Sequence, residues 1–247
     1  MRSLARWMFW VMLALLALQL AFLLRIALMV TLNPQSTSFM RSEAWRIALR
    51  TASGEGDWRW SSRWVPRERI SVHLQRAVIA SEDAGFVHHA GVDWQAIESA
   101  WERNRERKEQ ASRRAQRQSA VARPVRVVGG STITQQLAKN LLLSGERTLV
   151  RKGQELVLAL MLEGLLDKGR ILEIYLNSVE WGEGVFGAEA AAQRYFRKSA
   201  RQLNAHEAAR LAVMLPAPRF FEARQGSAYL ASRTRTIVAR MGAVELP

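Results

Sequence analysis

Three short stretches of this chain combine carboxylates, cations and hydroxyls at spacings that could do chemistry. The first is SEDAGFVHHAGVD, residues 81–93. Glu82 follows a segment, residues 71–81, whose Leu74, Ala77 and Val78 share one helical face. A carboxylate at such a helix end is partly withdrawn from water, which raises its pKa toward acid or base duty. A solvated Glu-Asp pair is the plainer reading of the same residues. The second stretch is GGSTITQQLAKN, residues 129–140. Its glycines lead through Ser131 and Thr132 into a helix expected over residues 134–143. Thr132 and Gln135 have the spacing of a capping box. A glycine-rich turn feeding a helix N-terminus also suits an anion. Gln135 and Lys139 lie one turn apart, and Lys139 adds a full positive charge there. The third stretch spans residues 146–163, ERTLVRKGQELVLALMLE. Arg151 and Glu155 stand at i,i+4, the spacing of an ordinary helical pair. Glu155 immediately precedes an apolar run, an unusual place for a charge, and Arg147, Arg151 and Lys152 gather cations near it. Cations oriented by a carboxylate suit a phosphate leaving group.

A fourth stretch is a decoy. GEGVFG, residues 182–187, matches the dinucleotide-binding fingerprint. That motif needs a preceding strand in a βαβ unit, and ILEIYLN before it reads as helix. These glycines are expected to make a tight turn between helices.

The elements that must position these residues are mainly helical. Helices are expected over residues 71–81, 134–143, 149–166, 171–177, 188–196 and 205–215. No stretch alternates with period two, and there is no internal repeat. Residues 156–162 are apolar on every face, as in a helix at a domain centre. Residues 103–126 break the pattern, with nine Lys or Arg, two Glu and no aromatic residue. This net +7 is half of the chain's +14, and the composition reads as a solvated, mobile loop. It is either a tolerated insertion or a patch for anionic lipid or polymer. Without aromatic residues to stack on bases it makes a poor nucleic-acid surface.

Residues 7–24 carry no charge, and the apolar run resumes after Arg25. Residues 7–30 are expected to span a membrane as one helix, with Arg25 snorkelling to the headgroups. Arg2 and Arg6 precede the span, and residues 26–40 carry no charge. The positive-inside rule then puts the N-terminus in the cytoplasm and the rest outside. A cleaved signal peptide is the rival reading, with Ser36 and Ser38 as its weak cleavage site. Residues 1–32 form the cytoplasmic end and anchor, residues 33–57 a juxtamembrane connector, and residues 58–247 the catalytic domain. The 247 residues hold no Cys and four His, which excludes disulfides and thiolate chemistry and disfavours a multi-His metal site.

Taken together the stretches resemble the peptidoglycan glycosyltransferase (transglycosylase) family. Glu82, Asp83, Phe86, His89, Gly91 and Asp93 meet its EDxxFxxHxGxD motif. Residues 129–140 meet GxSTITQQxxKN in full. Arg151, Lys152, Glu155, Ala159, Leu162 and Glu163 meet RKxxExxxAxxLE. Residues 171–196 and 207–218 resemble the two remaining motifs, in the family's order. The basic stretch lengthens the interval between the first two. No Ser is followed by Lys three positions on, and Lys-Thr-Gly is absent, so no transpeptidase half is present and the chain resembles the monofunctional form.

The resemblance implies a mainly α, lysozyme-like, two-lobed domain behind a single transmembrane helix. It implies a growing glycan on undecaprenyl pyrophosphate as donor and lipid II as acceptor. Glu82 would be the general base and Glu155 the second catalytic carboxylate, positioning cations or a divalent ion. Lys139, Arg147 and Arg151 would hold the pyrophosphate, with Ser131, Thr132 and Gln136 lining that pocket. Asp83, Phe86, His89, Gln135, Asn140 and Lys152 complete the expected substrate-binding set. No metal ligand is assigned and no cofactor is required, though Mg or Mn would be compatible. The expected partners are these lipid-linked glycans, the membrane and other cell-wall synthesis or division proteins, with no nucleic acid. The expected location is the inner membrane, with the catalytic domain in the periplasm. A lysozyme-like hydrolase and a non-catalytic basic scaffold are the competing functions.

Overall fold

A computed structural model describes residues 2–117, 130–143, 145–146 and 148–247. The described chain is mainly helical, with very little sheet. It opens with α1 (Arg2–Leu28), whose stretch Ser3–Leu28 is long and apolar enough to cross a membrane. Twenty-six residues of helix rise about 39 Å, more than the roughly 30 Å of a hydrocarbon core.

The end of α1 is built into the folded domain. Ile26 and Met29 are buried in its hydrophobic core. Arg170 donates from Nε to the Met29 carbonyl at 2.8 Å and from Nη2 to the Leu32 carbonyl at 3.0 Å. A cation on these last carbonyls satisfies groups that a helix C-terminus leaves unpaired. Arg170 is itself held by Glu173 at 2.7 Å and lies over the Trp64 ring.

The stretch expected as a connector holds a helix, α2 (Ser38–Ala52), capped by the Thr37 hydroxyl and packed against α5 (Ile133–Leu142). Its Met40 and Ile47 are buried, while Trp45 and Leu49 stand exposed among polar residues on the other side. This sparse apolar stripe looks like linker composition until the domain supplies a partner surface. One half of the domain then packs α3 (Val72–Glu82) against α9 (Ala205–Met214) and α11 (Ala228–Met241). The other packs α5 against α6 (Leu149–Leu165) and α7 (Lys168–Ser178). The helices α8 (Ala188–Phe196) and α10 (Pro218–Glu222) flank a small sheet.

That sheet has the order β1-β3-β2, from Ser61–Ser62, Val185–Phe186 and Glu180–Gly182. Strands of two or three residues are too short to show a period of two in sequence. The glycines of residues 182–187 turn β2 into β3. Gly184 has φ +69, and a Cβ there would lie 2.1 Å from the Arg59 carbonyl oxygen, so only glycine fits the turn.

Two further expectations are corrected. The basic stretch is not a loop where it is described: α4 runs Trp94–Arg117. Lys, Arg, Glu, Gln and Ala are good helix formers, and the stretch continues a helix that begins at Trp94 and buries Ala100. Residues 118–126 lie outside the described residues. The apolar run 156–162 is also not central on every face. Leu158, Ala159 and Leu162 are buried, but Val157 is 41% and Leu160 51% exposed. A run without polar residues carries no periodic signal from which its buried side could be read.

Candidate active site

Glu82 is the last residue of α3, where the chain leaves the core. Its Oε2 accepts a 3.1 Å hydrogen bond from the Gln136 side-chain amide. The Ser81 hydroxyl donates more loosely to Oε1 at 3.4 Å. Burial pushes its pKa above the ordinary Glu value, opposed by these two donors and reinforced by the neighbouring Asp83 charge. Among the described residues every direct partner of this carboxylate is neutral. Gln136 is in turn oriented by Tyr175, whose hydroxyl donates to Gln136 Oε1 at 2.9 Å. With its oxygen so engaged, the amide must present nitrogen to Glu82. Tyr175 is fully buried, and burial holds its phenol well above its usual pKa, so it stays a donor.

Asp83 and His89 turn away from this relay and toward each other. His89 Nε2 lies 2.9 Å from Asp83 Oδ1. The other Asp83 oxygen accepts the Ile133 backbone N–H at 2.9 Å. This pair fastens the start of α5 to the end of α3. Phe86 is completely buried under the Lys168 ammonium, which also donates to the His89 carbonyl and to Glu163. Thr132 and Gln135 form the reciprocal cap of α5. The Thr132 hydroxyl reaches the Gly91 carbonyl at 2.6 Å. Gly91 has φ +83, and a Cβ there would lie 2.9 Å from Glu163 Cγ. Asp83, Phe86, His89, Thr132 and Gln135 therefore build the wall that holds Glu82 and Gln136 in place.

Glu155 has the opposite surroundings. It is 3% exposed, and both oxygens are taken by cations: Arg151 Nη1 at 2.8 Å and the Lys152 ammonium. Lys152 also donates to the Ser131 hydroxyl at 3.2 Å. Thr148 caps α6 by accepting the Arg151 N–H. Arg151 keeps one buried donor, Nε, with no acceptor in the structure described. A carboxylate whose oxygens both face cations is not a donor set for a divalent ion, and no group of three or more His, Asp or Glu among the described residues could hold one.

An open groove of about 740 Å³ is lined by a partner of each carboxylate, Gln136 beside Glu82 and Arg151 beside Glu155. Gln136, Lys139, Asn140 and Arg151 line one side, with Tyr175 and Glu146. Glu82 stands directly behind Gln136. Arg147 lies outside the described residues. Sequence reasoning missed three contributors. Tyr175 sat within a helical apolar run as its only residue with a hydroxyl. Ser38, Phe39, Arg41 and Ser42 bring α2 into the groove wall. Glu180, from β2, lines it as well, and burial pushes its carboxyl up to about 7 against the pull of Arg219. Arg219 bridges Glu180, at 3.0 Å, to Glu43 of α2.

Comparison with known proteins identifies the family. The sequence profile of the transglycosylase family matches residues 51–242. The chain is 52% identical over 246 residues to a biosynthetic peptidoglycan transglycosylase of Paraburkholderia xenovorans, covering 98% of this chain and 94% of that protein. It is 50% identical to one of Herminiimonas arsenicoxydans over the full length of both. A Burkholderia pseudomallei protein of the same name is 50% identical over 100% of this chain and 90% of its own. With the profile spanning both carboxylates, the helices that carry them and the groove lining from Gln136 to Pro218, the chain belongs to the transglycosylase family.

Proposed function

We propose that the protein polymerises peptidoglycan glycan strands from a lipid-linked disaccharide at the membrane surface. The observation that carries this reading is one groove lined both by Gln136, which holds the neutral-partnered Glu82, and by the cations Lys139 and Arg151. Glu82 takes the proton from the 4-hydroxyl of the acceptor's N-acetylglucosamine in lipid II. The freed oxygen bonds to the anomeric carbon of the donor sugar from the face opposite the pyrophosphate. The carbon–oxygen bond to pyrophosphate breaks, the configuration inverts, and undecaprenyl pyrophosphate leaves. The raised pKa of Glu82 suits proton abstraction near neutral pH. Arg151, with its spare buried donor, and Lys139 receive the pyrophosphate charge as it develops. Glu155 fixes Arg151 and Lys152 so that they need not reorganise.

Both substrates are lipids, which fits an anchor fused to the domain. Arg2 and Arg6 before the span, and no charge across residues 26–40, support a cytoplasmic N-terminus and a periplasmic groove at the inner membrane.

The test is polymerisation of labelled lipid II by the full chain in liposomes. Wild type is expected to give long glycan, and Glu82→Gln about 10²-fold to 10⁴-fold less. Equal polymer from both would remove Glu82 as the base. Short fragments cut from preformed glycan, without polymer from lipid II, would mean a hydrolase instead.

A further inference from the structure

A second pocket, of about 280 Å³, lies where α1 leaves the membrane and the chain bends into α2. Arg25 of α1 and Arg41 of α2 both line it, close enough to repel each other. Arg41 is aimed only by neutral groups: Nη1 donates to the Ser36 hydroxyl and Nη2 to the Ser38 hydroxyl, each at 3.1 Å. Among the described residues neither guanidinium pairs with a carboxylate, and residues 26–40 contain none. The carbonyls of Met29 and Leu32, two residues that line the pocket, accept from Arg170. Two like charges held together without a counter-charge favour an anion from outside.

We propose that Arg25 and Arg41 form a site for the phosphate head of an anionic membrane phospholipid. Arg25 lies three residues before the end of α1, about 5 Å along the axis, at the depth of headgroups rather than acyl chains. Guanidinium forks match phosphate oxygens in pairs. The rest of the pocket includes Leu28 and Leu32, an apolar wall that suits the glycerol and first acyl carbons and offers nothing to free phosphate. Asn33 adds a neutral amide at its rim. Arg41 also lines the substrate groove, so a lipid held here fixes the depth of the groove mouth on the membrane.

Native mass spectrometry of the full chain in detergent tests the site, with phosphatidylglycerol, phosphatidylcholine, polyprenyl pyrophosphate and inorganic phosphate as probes. Wild type is expected to retain one phosphatidylglycerol and no phosphatidylcholine. Arg25→Gln and, independently, Arg41→Gln should each weaken retention by about 10-fold to 100-fold, the loss of one charge-assisted contact. Arg41 lies outside the membrane helix, so one variant stays informative if the other misfolds. Equal retention by wild type and both variants overturns the site. Displacement of the lipid by inorganic phosphate at equal concentration overturns its lipid character. Tighter, Arg25-dependent binding of polyprenyl pyrophosphate than of phosphatidylglycerol overturns the phospholipid assignment and gives the pocket to the carrier lipid. These results do not depend on whether lipid II is polymerised.

Discussion

Glu82 and Glu155 are the same residue type behind the lining of one groove, and their surroundings could hardly differ more. Glu82 meets an amide and a hydroxyl, so burial raises its pKa unopposed by any cation. Glu155 is bound at both oxygens by Arg151 and Lys152. Neutral donors leave a carboxylate able to take a proton, whereas cations use up its charge in holding them. In the proposed mechanism the partner's charge, more than depth of burial, separates the reacting carboxylate from the positioning one.

That contrast can be broken in graded ways. The largest effect is the loss of polymerisation in Glu82→Gln described above, and it should leave the thermal midpoint nearly unchanged because Gln136 and Ser81 can still bond an amide. A large drop in midpoint would mean that Glu82 is structural. Glu155→Gln should do the reverse in stability. It leaves Arg151 without its counter-charge and costs about 2–3 kcal/mol by denaturant titration, with activity lost as well. A variant as stable as wild type would show that the cations are not held by this carboxylate. Tyr175→Phe is milder. Gln136 loses the bond that orients it, and polymerisation should fall roughly fivefold to tenfold, the worth of one neutral hydrogen bond. Because a donor to ionised Glu82 is weakened, the acid limb of the pH profile should move to higher pH; a limb that stays in place would sink the relay.

The smallest effect concerns Glu180. Its folded carboxyl keeps a proton until about pH 7, while an unfolded Glu has released it by then. Stability from this group is therefore full at acid pH and falls as pH rises toward 7. Glu180→Gln should flatten that fall, by about 1 kcal/mol after allowing for the Arg219 pairing. Thermal midpoints of the two proteins at pH 5 and pH 7.5 would show it, and parallel shifts in both would count against it.

Local chemistry made much of this legible. The cap from Thr132 to Gln135, the Arg151–Glu155 pair, and α8 with bounds matching those read from sequence all depend on neighbours within four residues. The poorly legible parts depend on distant partners. Tyr175 and Gln136 are separated by 39 positions, and Gln136 and Glu82 by 54. Asp83 and His89, expected from the resemblance to bind substrate, instead pair with each other, and Asp83 holds the first backbone N–H of α5. The α2 stripe reads as linker because its cover is α5.

The sequence by itself determined α3, the helices α5 to α9, the cap of α5, the apolar first helix and the three clusters of reactive residue types, because each follows from periodicity or contacts a few residues long. Only the tertiary structure decided that Glu82 faces neutral donors and Glu155 cations, that α2 walls the groove, and that Arg170 ties the anchor to the domain. Those outcomes rest on which helix faces meet, and burial and charge partners come into being only when they do.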